Sequence, residues 1–465
     1  MNFLSNRGKV LMTAVAGTIF GYYGAKWTGR KLVNTIADSS IRTIMTDSYD
    51  ENFWEFISAS NRVGQQVIVE TNMRAEEGTL INRPLGSPKK FPSLEQLMFN
   101  IAQFHPFPTP LETPVDVSVS IGKKAKKPFT ISLPMMVSGM AYGEALSADA
   151  KWALAKGAAL AKTASCSGEG PFLPVERDAA DLYIYMFNRG DWGKDEEIIQ
   201  NSTAIEIQFG QGALGGAGHV VPAKQIDKNL RRYFKFPKGK DAVVHSQQPN
   251  VTDVEDLPKL INELQTISGG VPIGAKIGAG KWLEKDLEAL CHAGIDYIVL
   301  DGAGAATKGA PPILQDDFGV PTVFAVPRAA QWLEKNGFQK SVSLIASGKI
   351  RTPGDALKAV ALGADACYIG SIALFAMSHD QVLKAMPFEP PTQVVWYDGK
   401  FAGKFNKQKA AQALYKFFLS CKEELEVGLR ALGKTTLNDV TKNDLFALDE
   451  TIARGVGVPM AYDQC

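Results

Sequence analysis

The sequence predicts an α/β protein built on one (β/α)8 TIM barrel, with an N-terminal helical segment and a C-terminal helical extension. Three observations lead there. From about residue 116, short apolar runs alternate with helical stretches, the pattern of βαβ units and a parallel sheet. Eight such runs fit in about 250 residues, the size of one barrel. The last two runs end in Ser347-Gly348-Lys349 and Gly370-Ser371. Neighbouring barrel strands that end this way can aim backbone N–H groups at one phosphate at the C-terminal face. A phosphate-bearing cofactor is therefore the first ligand to expect.

The eight predicted strands are, in order, LPMMV (133–137), TASC (163–166), LYIYMF (182–187), AIEIQ (204–208), PIGAK (272–276), DYIVL (296–300), VSLIA (342–346) and ACYI (366–369). Helix signals lie between them. Ser147 can cap the run ADAKWALAKGAALAK, and Thr352-Pro353 combines an N-cap with proline at the first helical position. Gly294 and Gly363 suit the position just past a helix end. The stretch from about 209 to 270 is long for one connection. Its glycine-rich start, GQGALGGAGHVVPAKQ, reads as a loop over the barrel top, and TDVEDLPKLINELQ as a helix.

These assignments divide the chain into a hydrophobic N-terminal segment (1–40), a helical and irregular region packed under the barrel (41–115), the barrel (116–380) and a C-terminal extension (381–465). The extension contains an amphipathic run, KQKAAQALYKFFLSCKEELEVGLRAL, that can pack on the barrel or on a second subunit. The uncharged run Val10–Ala25 is flanked by Arg7 and Lys9 before it and by Lys26, Arg30 and Lys31 after it. It falls near the lower length limit for a membrane span, so the sequence leaves open a single anchor or a buried or interfacial helix. Either way the catalytic body would sit in the cytoplasm.

Composition removes several classes. The chain has 465 residues and a formal net charge of +1, with no long basic run, which argues against nucleic acid as a partner. Its five cysteines are scattered and form no C-x-x-C, unlike a zinc site, an iron–sulfur site or a disulfide framework. Cys291 and Cys367 lie in apolar runs and read as core residues, and the usage fits a reducing cytoplasm.

Candidate chemistry sits at the strand ends. Ser167-Gly168-Glu169-Gly170 follows the second strand and offers close backbone approach beside a carboxylate. Gln208 and Gln211 close the fourth strand with neutral amides suited to a carbonyl or a ring edge, and His219 follows in the glycine-rich stretch as a weaker candidate. Lys276 ends the fifth strand. If it points inward, burial requires an anionic or electron-rich partner; if outward, it snorkels among the helices. Asp301-Gly302-Ala303-Gly304 follows the sixth strand but lacks the third glycine of a dinucleotide fingerprint.

Taken in order, PMMVSGMAYGEAL, ASCSGEGP, AIEIQFGQGALGG, GAKIG, DGAGAATKGAPP and ASGKIRTPGDALKAVALGADACYIGS resemble the FMN-binding synthase domain of glutamate synthase, especially its stand-alone relatives, over roughly residues 90–380. The resemblance implies FMN at the barrel mouth. It implies Ser138 and Gly139 beside the isoalloxazine, and Ser167 and Glu169 around ring and substrate, where the amide of Gln208 would suit the flavin edge. It also implies Lys276 at the pyrimidine edge, Asp301, Gly302 and Gly304 by the ribityl chain, and Gly348, Lys349, Gly370 and Ser371 at the phosphate. Lys276 and Glu169 would be catalytic, and Gln211 with Glu169 would meet substrate.

Departures from the family are as informative. The stretch FAMSHDQVLKAMPFEPP has no cysteine where the family carries an iron–sulfur cluster, so none is expected. The family's I-E-I-K lysine is Gln208 here, and the lysine of its Q-G-A-K-P-G run is Leu214. The resemblance implies a flavin-dependent oxidoreductase acting on CH–NH2 donors, with a small-molecule 2-oxo acid/amino acid pair and an electron donor the sequence does not identify. The two lost lysines leave open an FMN barrel of different substrate chemistry, or a membrane-tethered flavin-binding protein without catalysis.

Overall fold

A computed structural model describes residues 6–46, 48, 54–83, 85–305, 307–384 and 392–463. Cys465 and much of the cysteine-free stretch near 385–391 lie outside them. The chain divides into two compact units, residues 1–81 and 82–465.

In the second unit eight parallel strands close into a barrel in chain order: β1 (Met135–Val137), β2 (Ala164–Cys166), β3 (Leu182–Phe187), β4 (Ala204–Gln208), β5 (Ile273–Gly278), β6 (Tyr297–Asp301), β7 (Ser343–Ser347) and β8 (Ala366–Ile369). All eight expected strands are present. Their two-residue periodicity sorts the side chains. Ile205, Ile207, Ile298, Leu300 and Leu344 pack outward into the helical layer. Met136, Cys166, Ile184, Met186, Val299, Ile345 and Tyr368 fill the lumen. The same alternation sends Glu206, Gln208 and Lys276 inward, and Lys276 sits level with Gln208 on β4 and Val299 on β6.

A hairpin of Val119–Ile121 and Phe129–Ile131 closes the barrel floor, adding Ile121, Phe129 and Ile131 to the lumen cluster. The helix signals are realised. Ser147 Oγ accepts from Ala150 N at 3.2 Å, and Thr352 forms a reciprocal capping box with Asp355 ahead of Pro353. Gly294 (φ 95°) and Gly363 (φ 104°) follow their helices in left-handed geometry. The C-terminal helix Lys407–Ala431 packs on the barrel's own helix Ala148–Leu160: a Cβ at Gly157 would lie 2.9 Å from Leu414.

Two regions differ from expectation. The stretch after β4 is not a plain loop: His219–Val221 pairs antiparallel with Ala242–Val244 around a short helix, Lys228–Phe234. These strands are three residues long, too short for periodicity to reveal them. Arg83 and residues 85–91 do not lie under the barrel but at its C-terminal mouth. Arg83 forms an ion pair with Asp316 at 2.7 Å, and Lys349 Nζ donates to Ser87 O at 2.9 Å. Long-range charge pairs of this kind have no local sequence signal.

The first unit contains the helices Asn6–Thr46, Trp54–Val63 and Gln65–Glu77, the last two separated at Gly64. Side chains 21–46 are exposed apart from half-buried Ile44. No helix among the described residues is long and apolar enough to cross a membrane. The anchor considered for Val10–Ala25 thus gains no support, its uncharged run being short and bordered by basic residues on both sides.

Candidate active site

The C-terminal strand ends surround a cavity of roughly 340 Å³. Its wall includes Ser138, Gly139, Glu169, Gln211, Lys276, Asp301 and Gly304, together with residues 347–351 and 370–372. Ser167, Gln208 and Gly302, also expected at the site, stand behind this wall. Ser167 Oγ accepts from Met186 N at 2.9 Å and donates to Gly168 O at 3.1 Å, so its hydroxyl braces the scaffold. Gly302 presses on Thr322, where a Cβ would meet Oγ1 at 2.1 Å.

One end of the cavity is made by backbone. Gly348 has φ 100°, and a Cβ there would lie 3.0 Å from Gly302 O. The helix Ser371–Ser378 starts at Gly370 without a side-chain cap, and its first residues, Ser371 and Ile372, line the cavity. A Cβ at Gly370 would sit 3.2 Å from Ser138 Oγ. Two flanking cations are engaged elsewhere: Lys349 with Ser87 O, and Arg351 with Glu95 at 2.6 Å.

The middle is a charged group sunk in the lumen. Lys276 is 4% exposed, with Nζ 3.7 Å from Asp301 Oδ2. Burial works against its charge, but Asp301, then Glu206, outweigh burial and hold its pKa above the ordinary 10.5. Asp301 Oδ2 also accepts from Gly212 N at 3.1 Å, tying the loop after β4 to the end of β6. Below lies Glu206, which accepts from Tyr368 Oη at 2.7 Å and from Cys166 Sγ at 3.8 Å. Burial pushes Glu206 up, and Lys276 and the Tyr368 hydrogen bond offset part of that rise.

The far end is made by side chains. Glu169 is 8% exposed and receives Gln208 Nε2 on Oε2 at 2.5 Å. His219 Nε2 lies 3.0 Å from Glu144 Oε2 and 4.0 Å from Glu169 Oε1. Burial disfavours the imidazolium, but the two glutamates outweigh it and raise its pKa. Burial also raises Glu144; His219 pulls it back in part, while the neighbouring Glu169 charge adds to the rise. Gln211 lines the cavity with Nε2 3.4 Å from Thr307 Oγ1. Leu214 withdraws into a small apolar cluster with Ala213 and Ala310.

Sequence reasoning missed three groups. Glu206 shares the lumen face of β4 with Gln208, and an acid between two isoleucines in AIEIQ was its available signal. Glu144 was hidden in a loop. Lys151, in the first turn of an alanine-rich helix, is 1% exposed. Its ammonium donates to Met140 O at 2.7 Å and Ser167 O at 2.8 Å and pairs with Glu176 at 2.8 Å. It thereby joins the loops after β1 and β2 that carry Gly139 and Glu169. A lone lysine on an apolar helix face was the only hint.

The sequence model of the conserved region in glutamate synthase matches residues 92–435. The chain is 29% identical over 413 residues to the glutamate synthase large subunit-like protein of Rhizobium meliloti, covering 85% of this chain and 93% of that one. It is 27% identical over 407 residues to the archaeal-type glutamate synthase (NADPH) of Thermotoga maritima, covering 83% and 79%. Among solved structures, a flavocytochrome b2 variant aligns over 80% of this chain and 83% of its own at 18% identity and a TM-score of 0.49. With the conserved region spanning most of its length, the chain belongs to the glutamate synthase family.

Proposed function

We propose that the protein is an FMN-dependent oxidoreductase of glutamate synthase type, acting at a carbon bonded to nitrogen. The observation that carries this is one cavity running from the uncapped helix start at Gly370 to the buried Lys276 ammonium. The residues fit the cofactor. A glycine-built cradle that side chains would fill meets a helix N-terminus suited to a phosphate dianion. A buried cation meets the ring edge where negative charge gathers on reduction.

When bound, FMN supplies hydride exchange. In this reading the backbone at Gly348, Gly370 and Ser371 binds the phosphate, and Ser138 and Gly139 border the ring. Lys276, kept charged by Asp301 and Glu206, stabilises negative charge at the pyrimidine edge. Glu169, fixed by the Gln208 amide, positions the substrate nitrogen over the ring. The relatives named for NADPH support that nucleotide as the electron donor.

Purified protein is expected to be yellow, with flavin absorbance. Colourless protein that rejects added FMN would overturn the reading. Lys276→Met should retain FMN but lose about 100-fold in the rate of flavin reduction, with Lys276→Arg recovering part of it. Stopped-flow absorbance with NADPH measures both, and an unchanged rate in Lys276→Met removes its assigned role.

A further inference from the structure

The lumen beneath the cavity sets two carboxylates against one ammonium. Asp301 is secured as an anion: it lies 3.7 Å from Lys276 Nζ and accepts from Gly212 N at 3.1 Å. Glu206 is not. It is fully buried, and its hydrogen-bond partners among the described residues, Tyr368 Oη at 2.7 Å and Cys166 Sγ at 3.8 Å, are both neutral. No cation among the described residues stands within ion-pair distance of it, and Lys276, engaged by Asp301, acts on it from farther away. The titratable and charged groups around Glu206 are Cys166 on β2, Lys276 on β5, Tyr297 and Asp301 on β6 and Tyr368 on β8. Strands β1, β3 and β7 bring apolar side chains there, among them Met136, Met186 and Ile345. Farther out, Lys151 is matched by Glu176, and Arg189 and His219 stand against Glu169 and Glu144.

An ionised Glu206 gives the lumen one negative charge in excess, in a space where burial favours the neutral carboxyl. Reduction by a two-electron donor adds two electrons and one proton to a flavin ring and leaves one negative charge at the pyrimidine edge, beside Lys276. That charge competes with Glu206 for the same ammonium. Glu206 has a route by which to shed its own charge. Tyr368, whose hydroxyl donates to it, also lines the cavity. A proton that reaches the Tyr368 oxygen from the cavity is passed on as the tyrosine's own proton moves to Glu206.

We infer that Glu206 is a redox-linked proton acceptor and a positioning residue that acts through Lys276. Ionised beneath the oxidised ring, it takes up one proton through Tyr368 when the ring is reduced, forms a carboxyl O–H bond and leaves the Lys276 charge to the ring. Two electrons and two protons are then taken up in all, one proton by the ring and one by the protein. Asp301 keeps its charge throughout, because Lys276 and the Gly212 amide both hold it. The inference rests on the flavin reading and adds to it a control on the ring's reduction potential.

The test uses the full chain loaded with FMN and reduced by dithionite. The reduced-minus-oxidised infrared difference spectrum should show a new protonated-carboxyl C=O band that shifts in D2O and is absent in Glu206→Gln. In a dye-equilibrated redox titration the reduction equilibrium should fall ~100-fold per pH unit within the window where Glu206 takes up its proton. On either side of that window, and throughout in Glu206→Gln, it should fall ~10-fold per unit, which is about 30 mV for a two-electron couple. Tyr368→Phe removes a hydrogen bond that favours the ionised carboxylate, so it should move the window to higher pH. A spectrum without the band, a band retained in Glu206→Gln, or a ~10-fold dependence at every pH in the unaltered chain overturns the inference. If Glu206→Gln does not fold, the spectrum of the unaltered chain and the window in Tyr368→Phe still decide it. Protein that never takes up FMN overturns the flavin reading and this inference with it, whereas loaded protein without the band overturns this inference alone.

Discussion

The two ends of the cavity are built by different means. At the end proposed for the phosphate the cavity is bordered by backbone, at Gly348 and Gly370, which have no side chains. At the end proposed for the substrate it is bordered by Glu144 and Glu169, whose carboxylates are placed by His219 and Gln208. A backbone cradle tolerates little change, because any side chain occupies the ligand's space or strains the turn. A side-chain cluster can be rewritten one residue at a time. The resemblance follows this division: the glycine turns match the family, whereas Gln208 and Leu214 do not.

The largest effect should come from the support shared by the loops beside the ring. Lys151→Met strips the buried Glu176 of its partner, and loss of one member of such a pair costs about 3–5 kcal/mol. Chemical denaturation measures this, and Glu176→Gln in the same chain should recover part of the loss. Even paired, Glu176 is pushed up to about 7 from 4.5, chiefly by burial and against the pull of Lys151. The native state therefore holds that proton more tightly than the unfolded chain. Its contribution favours folding at low pH and fades as pH rises from about 4.5 to about 7. Stability that rises over this window would contradict the assignment.

The next effect breaks the backbone-built end alone. Gly348→Val forces a β-branched residue to φ 100° with its Cβ 3.0 Å from Gly302 O. FMN affinity should fall about 100-fold in a folded protein, since strain of this kind costs one to three kcal/mol. Flavin absorbance per folded chain measures it, and full occupancy would show that the turn does not hold the phosphate. The smallest effect sharpens the other end. Gln208→Lys exchanges the amide held against Glu169 for a cation, so binding of a small carboxylate such as butyrate, read by calorimetry, should strengthen by up to ~10-fold. An unchanged affinity would mean that this position does not influence the charge of the cavity.

The same division explains what could be read in advance. Strands β1–β8 were legible because each is a short apolar run bounded by Gly, Ser, Asp or Asn, and the helix caps at Ser147 and Thr352 are local features. The glycine turns that end β7 and β8 were legible because glycine at a strand end is itself the signal. The direction of Lys276 was not, since an apolar strand buried on both faces gives no clue to which face is the lumen. Lys151, Glu144 and Glu206 act through partners far away in sequence, and the segment at Arg83 and Ser87 reaches the mouth through Asp316 and Lys349.

By itself, then, the sequence determined the barrel, the order of its strands and the glycine cradle, because periodicity, capping and glycine's conformational freedom are properties of neighbouring residues. Only the tertiary structure decided that Lys276 points inward to Asp301 and Glu206, and that Glu144, Glu169 and His219 converge. It alone showed that Lys308, Arg351 and Lys349 of the wall each already have a partner. Electrostatic character belongs to distances between groups, and those distances exist only after the chain has closed the barrel.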